Sequence, residues 1–159
     1  NLRVEAENRG ISATRLVFAE PIPQAEHLAR LKLADLFIDT FNVNAHTTAS
    51  DALWAGLPVI TKLGNGFPAR VAGSLLTAID LPELITENEQ EYEALILKLA
   101  TNPERFLQIK EKLALSRLSK PLFNTELFTK HLENGYQQAY DRYFNGEKPG
   151  EINVPVQLS

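Results

Sequence analysis

LADLFIDTFNVNAHTTASDALWAGLPVIT, residues 33–61, is the stretch whose reading decides the fold. Leu36-Phe37-Ile38 is an apolar run between Asp35 and Asp39, the pattern of a strand buried on both faces of a parallel sheet. A polar loop, Phe41 to Ala45, follows it. HTTASDALWAG then reads as a helix, with capping hydroxyls at Thr47 and Thr48, an acid in the first turn at Asp51 and Gly56 at its stop. Pro58-Val59-Ile60-Thr61 returns the chain to a second strand. Strand, helix of about ten residues and strand make a βαβ unit. Such a unit has a right-handed crossover, and its ligand site lies beyond the carboxyl ends of the strands.

Outward from this unit the alternation continues. Arg15-Leu-Val-Phe18 is a short β-prone run, and after Pro21 and Pro23 a helical pattern passes through Leu28, Leu31 and Leu33. Downstream, residues 70–78 read as a helix, and Leu81 to Ile85 as a turn or short strand. Residues 88–101 place Tyr92, Leu95, Ile96 and Leu99 at helical spacing. Pro103 opens a helix carrying Phe106, Leu107, Ile109 and Leu113, and a last helix runs from about Thr125 to Phe144. The fold class expected is α/β: a Rossmann-like parallel sheet with flanking helices over residues 1–145 and a helical C-terminal portion. Residues 146–159 are expected to form a flexible tail. Asn1 stands where a Met would begin a chain, in a segment resembling the end of a helix, so the sequence is expected to be part of a longer one.

Composition narrows the function. The 159 residues are 44% hydrophobic and 23% charged, a balance suited to a globular core. A formal charge of -4 leaves no broad basic surface for a phosphate backbone, so nucleic acid is not an expected partner. Cysteine is absent, which removes disulfides, thiolate metal sites and cysteine nucleophiles and suits a reducing, cytoplasmic setting. No uncharged apolar run approaches the roughly 20 residues of a membrane span, so no membrane partner is expected.

The junction His46-Thr47-Thr48 is where chemistry concentrates. Free amides at a helix start, two hydroxyls and the helix dipole favour an anion such as a pyrophosphate, although a plain N-cap is the commoner use of such residues. Asp51, one turn beyond Thr47, faces the same opening and suits ribose hydroxyls, or simply satisfies the dipole. His27 and Arg30, three apart on a helix, share a face and suit a phosphate or a base edge, or solvent. His27, His46 and His131 lack the spacing of a metal centre. The motifs GxGxxG, GK[ST] after a glycine-rich loop, and GxSxG are missing.

These residues resemble the O-linked N-acetylglucosamine transferase family, including its SPINDLY-like bacterial members, up to about Lys148. The agreement is ordered along the chain: EH at 26–27, LADLFIDT at 33–40, NAHTTASDALWAGLPVIT at 44–61, RVAGSLL at 70–76, EYE at 91–93 and PLFNT at 121–125. The resemblance implies the C-terminal domain of a GT-B glycosyltransferase, the half that holds the nucleotide-sugar donor. It implies that His46, Thr47 and Thr48 contact the diphosphate and Asp51 the ribose. Arg30 and the backbone near Ile22 would contact the uracil, with His27 beside the nucleotide and diphosphate. Gln24 departs from the pattern, since animal members carry a lysine there against the nucleoside. The implied reaction is inverting, metal-independent transfer of N-acetylglucosamine from UDP to Ser or Thr hydroxyls of proteins. No cofactor is implied, and no catalytic residue falls in this chain. The upstream catalytic domain and acceptor-presenting repeats would lie before Asn1, leaving the fragment inactive alone. GDP-fucose or UDP-glucose as donor, or a non-catalytic interaction module on the same fold, are the alternatives.

Overall fold

The computed structural model describes residues 1–155. The expected tail falls partly outside them, at residues 156–159. Ten elements follow in the order α1 (Leu2–Asn8), α2 (Gln24–Leu31), β1 (Phe37–Ile38), α3 (Thr47–Ala55), β2 (Val59–Lys62), α4 (Val71–Ala78), β3 (Ile85–Thr86), α5 (Glu89–Thr101), α6 (Pro103–Ser119) and α7 (Thr125–Phe144). The three strands form a parallel sheet in the order β1-β2-β3. The α/β class is as the alternation predicts, and helices outweigh the sheet.

Parallel pairing explains why β2 is so apolar. Phe37 and Ile38 align with Val59 and Ile60, and Ile85 and Thr86 with Thr61 and Lys62, so β2 has a neighbour on each side. Val59, Ile60 and Thr61 are completely buried, as a central strand covered by helices requires. β1 is different. Ile38 is 55% exposed, which corrects the expectation of a strand buried on both faces: β1 is an edge strand, and among the described residues nothing covers its outer side chain.

α3 lies against the sheet on small residues. Ala49, Ala52, Leu53 and Ala55 are its buried positions. Three alanines let the helix axis approach closely, and burying Leu53 contributes about 2 kcal/mol. The helix ends as the sequence suggests: Gly56 takes φ 87, Gly56 N–H donates to Leu53 O, and Leu57 N–H donates to Ala52 O at 2.9 Å. That is the six-to-one closure for which glycine carries no steric cost. α4 closes the same way, with Leu81 N–H on Leu76 O at 2.8 Å, but the left-handed position is held by Asp80 at φ 64. Its carboxylate pairs with Lys120 Nζ at 2.8 Å.

The core gathers Leu53, Ile60, Leu76, Ile79, Leu81, Leu84, Ile109 and Leu113. Tyr92 and Leu99 of α5 are buried against it, with Leu95 and Ile96 partly so. Three C-terminal helices start on asparagine caps: Asn88, Asn102 and Asn124 accept from the amides of Glu91, Arg105 and Leu127. α7 spans Thr125 to Phe144, as expected. Behind it Arg142 donates to the carbonyls of Lys148 and Glu151, which holds this described part of the tail against the helix.

Three expectations fail locally. Arg15 to Phe18 is not a strand: a 3-10 turn covers Ala13–Arg15, and Val17 is 87% exposed. β-propensity alone does not place a run in a sheet, and this one pairs with no strand, the open edge of β1 included. Leu33 lies beyond the end of α2 and is exposed, because the chain turns away at Lys32 to reach β1. Leu107 is exposed on α6, whose buried stripe instead uses Ile109, Leu113 and Ser116.

Candidate functional site

The loop leaving β1 carries the chain to the start of α3, and one carboxylate holds that loop. Asp39, 4% exposed at the carboxyl end of β1, accepts the Thr40 and Ala45 amides at 2.8 and 2.7 Å and the Thr61 hydroxyl at 2.6 Å. Its own carbonyl accepts the Tyr92 hydroxyl at 2.7 Å. A buried charge is tolerable only when hydrogen-bonded in this way. Asn44, also buried, donates its side-chain amide to Thr40 O at 2.9 Å and its backbone N–H to Pro68 O at 2.8 Å. Sequence reading treats Asp39 merely as the strand's boundary. An acid closing a strand just before a loop-to-helix junction was the signal that could have found it.

At the helix start the structure corrects two roles. His46, with φ -100 and ψ -91, is the N-cap residue, and no side chain caps the helix. Thr47 and Thr48 are its first two helical residues, so their hydroxyls are not caps. Asp51, the fifth residue, falls in the second turn. Because Ala49, Ala52 and Leu53 turn to the core, helical geometry puts Thr47, Thr48 and Asp51 on the outer face. Thr47 and Thr48 are exposed and Asp51 half-buried. The result is a helix N-terminus with uncapped amides, two hydroxyls and an acid at its opening, a place suited to an anion with a hydroxyl-bearing group attached.

The loop after β2 forms the neighbouring wall. His46 Nε2 lies 3.4 Å from Pro68 O, and its ring meets that of Phe67 edge-on at 6.2 Å. Gly64 N–H donates to Ala69 O at 2.9 Å, closing the loop; a Cβ on Gly64 would sit 2.5 Å from that of Ala69.

The second predicted group is on α2, which packs against α3. Arg30 reaches Glu20 O at 2.9 Å and His27 Nδ1 at 3.1 Å, so the helical spacing does bring His27 and Arg30 to one face. Gln24 is the first residue of α2, and Ile22 lies in the extended segment before it, both exposed. Among the described residues no hydrogen bond joins this group to His46, Thr47, Thr48 or Asp51. A cleft of about 320 Å³ between α2, α3 and α6 is lined by Trp54, Ala55 and Arg117, at the opposite end of α3.

The arrangement is a βαβ unit with an anion-favouring helix start at its carboxyl edge. Residues 1–132 match Glycosyl transferase family 41. The chain belongs to that family. A relative in Arabidopsis thaliana, named a probable UDP-N-acetylglucosamine--peptide N-acetylglucosaminyltransferase SEC, is 35% identical over 96% of this chain and 16% of its own length. A Caenorhabditis elegans UDP-N-acetylglucosamine--peptide N-acetylglucosaminyltransferase is 33% identical over 92% of this chain and 13% of its own. A solved mutant of the Thermobaculum terrenum O-GlcNAc transferase superposes with TM-score 0.82 at 30% identity, covering 87% of this chain and 27% of that one. The chain thus spans about a quarter or less of these proteins.

Tyr92, which ties α5 to the loop before α3, has a displaced titration: burial first, and the Asp39 charge second, push its phenol up to about 12. Among the described residues no three His, Asp or Glu side chains gather as metal ligands, and no helix is long and apolar enough to cross a membrane.

Proposed function

We propose that this chain is the donor-binding part of an inverting, metal-independent protein O-glycosyltransferase that uses UDP-N-acetylglucosamine. The observation that carries the reading is the α3 start, where uncapped amides, Thr47, Thr48 and Asp51 share one outer face beside His46. In the reaction an acceptor Ser or Thr hydroxyl oxygen forms a bond to the anomeric carbon. The bond from that carbon to the diphosphate oxygen breaks, and UDP leaves with the electron pair. The hydroxyl proton passes to a base outside this chain. Charge grows on the departing diphosphate, and the α3 amides and Thr hydroxyls are the groups that would stabilise it. Asp51 would accept from the ribose, while Arg30, with His27, Gln24 and the Ile22 backbone, would address the uracil side. The proposal includes the cytoplasm as its compartment, on the cysteine-free composition alone.

Calorimetry on the whole protein in EDTA, with UDP, GDP and UDP-N-acetylglucosamine, tests this. UDP is expected to bind saturably and GDP not, with Thr47→Ala and Asp51→Ala each weakening UDP by about tenfold, the loss of one good hydrogen bond to a charged or polar ligand group. Binding of GDP in place of UDP would transfer the reading to a GDP-sugar donor. Binding of neither would leave a non-catalytic module on the same fold.

A further inference from the structure

Phe67 is 79% exposed, yet the loop that carries it is firmly held. Gly64 N–H bonds Ala69 O at 2.9 Å, Arg70 Nη1 bonds Gly64 O at 3.0 Å, Ala69 N–H bonds Gly66 O at 3.0 Å, and Asn44 N–H bonds Pro68 O at 2.8 Å. The backbone would keep this shape with any side chain at position 67, and the ring fills no part of the core. A single exposed aromatic is ordinary in itself; what sets Phe67 apart is that a held loop presents its ring beside His46, at the start of α3. The loop follows the carboxyl end of β2, the edge at which parallel sheets bind ligands. There the Phe67 ring stands edge-on to His46, 6.2 Å between centroids.

We infer that Phe67 is a specificity-determining residue whose ring packs against the hexose of the donor. This rests on the donor-site reading and extends it to a subsite. With the diphosphate at the α3 start, two groups are attached to it. The neighbour of α3 formed by α2 offers Arg30 and His27, hydrogen-bonding groups that match a base edge. The other neighbour, the loop after β2, offers Phe67, which carries no polar atom. A pyranose presents apolar C–H faces with its hydroxyls around the rim. It therefore suits an aromatic surface; a base can stack on a ring too, but only the α2 side offers its edge hydrogen-bonding partners. The sugar accordingly falls on the Phe67 side.

The test uses the whole protein and two probes, UDP and UDP-N-acetylglucosamine, in calorimetry on the unaltered protein, Phe67→Ala and Phe67→Tyr. Phe67→Ala is expected to leave UDP affinity within about twofold and to weaken UDP-N-acetylglucosamine about tenfold. Phe67→Tyr, which keeps the ring, should restore most of the difference. Because the side chain is exposed, neither change should move the melting temperature. Equal weakening of both ligands, or no weakening of either, overturns the subsite while leaving the donor reading intact. Failure of the unaltered protein to bind UDP at all sinks the donor reading, and the subsite with it.

Discussion

Tyr92 reaches from α5 across the core to the Asp39 carbonyl, 53 residues away in the chain, with an O···O distance of 2.7 Å. Its phenol therefore ties a C-terminal helix to the loop that delivers α3. Burial and the Asp39 charge raise its pKa to about 12, against about 10 in the unfolded chain. A raised pKa means that the folded state holds the proton more tightly, so the contribution is complete below about pH 10 and is lost as pH rises through about 12. Chemical denaturation across this window should show stability falling with pH in the unaltered protein. In Tyr92→Phe that part of the fall should be missing, and stability near neutrality should be lower by about 1 kcal/mol. An unchanged alkaline slope in the variant would exclude this account.

α3 and the loop after β2 work as a pair, because Pro68 O receives the Asn44 amide and faces His46. The strength of that pairing depends on Gly64, where a methyl group would meet Ala69 Cβ at 2.5 Å. Neither atom lies at the end of a flexible side chain, so the backbone must move. Gly64→Ala is expected to cost about 1–3 kcal/mol in stability and to weaken UDP binding through displacement of Pro68 and His46. Thermal unfolding and calorimetry on the same variant check both effects, and an unshifted melting point with normal binding would refute the coupling. Much of this was legible in advance. Gly56 marked the helix end, and the apolar run at 58–61 marked the central strand. The capping roles of Thr47 and Thr48 were not, because a one-residue shift in where a helix begins exchanges cap and first turn without altering composition.

Over the whole molecule, α7 leaves a row of large side chains in water: Phe128, Leu132, Tyr136, Tyr140 and Phe144, spaced four apart along one helix. No residue of α7 is buried. Separate exposed apolar residues are ordinary, but a contiguous row of this kind favours association. The 159-residue chain by itself should therefore self-associate with rising concentration in sedimentation, and Tyr136→Lys with Tyr140→Lys should shift it toward monomer. A chain that stays monomeric at every concentration, with or without these changes, would show that the row is harmless.

What the amino-acid order determined alone was local and periodic: the β2 strand, the closure of α3 on Gly56, the bounds of α7, and the one-face pairing of His27 with Arg30. Each depends on residues within a turn or two, where spacing and steric preference act directly. Tertiary structure decided the rest. Arg15 to Phe18 pairs with no strand although β1 has an open edge, Ile38 is exposed because no described element covers its face of β1, and Asp39 is a buried anchor because Thr61 and Tyr92 arrive from 22 and 53 residues away. Burial and edge position depend on which distant segments meet, and no local pattern specifies that meeting.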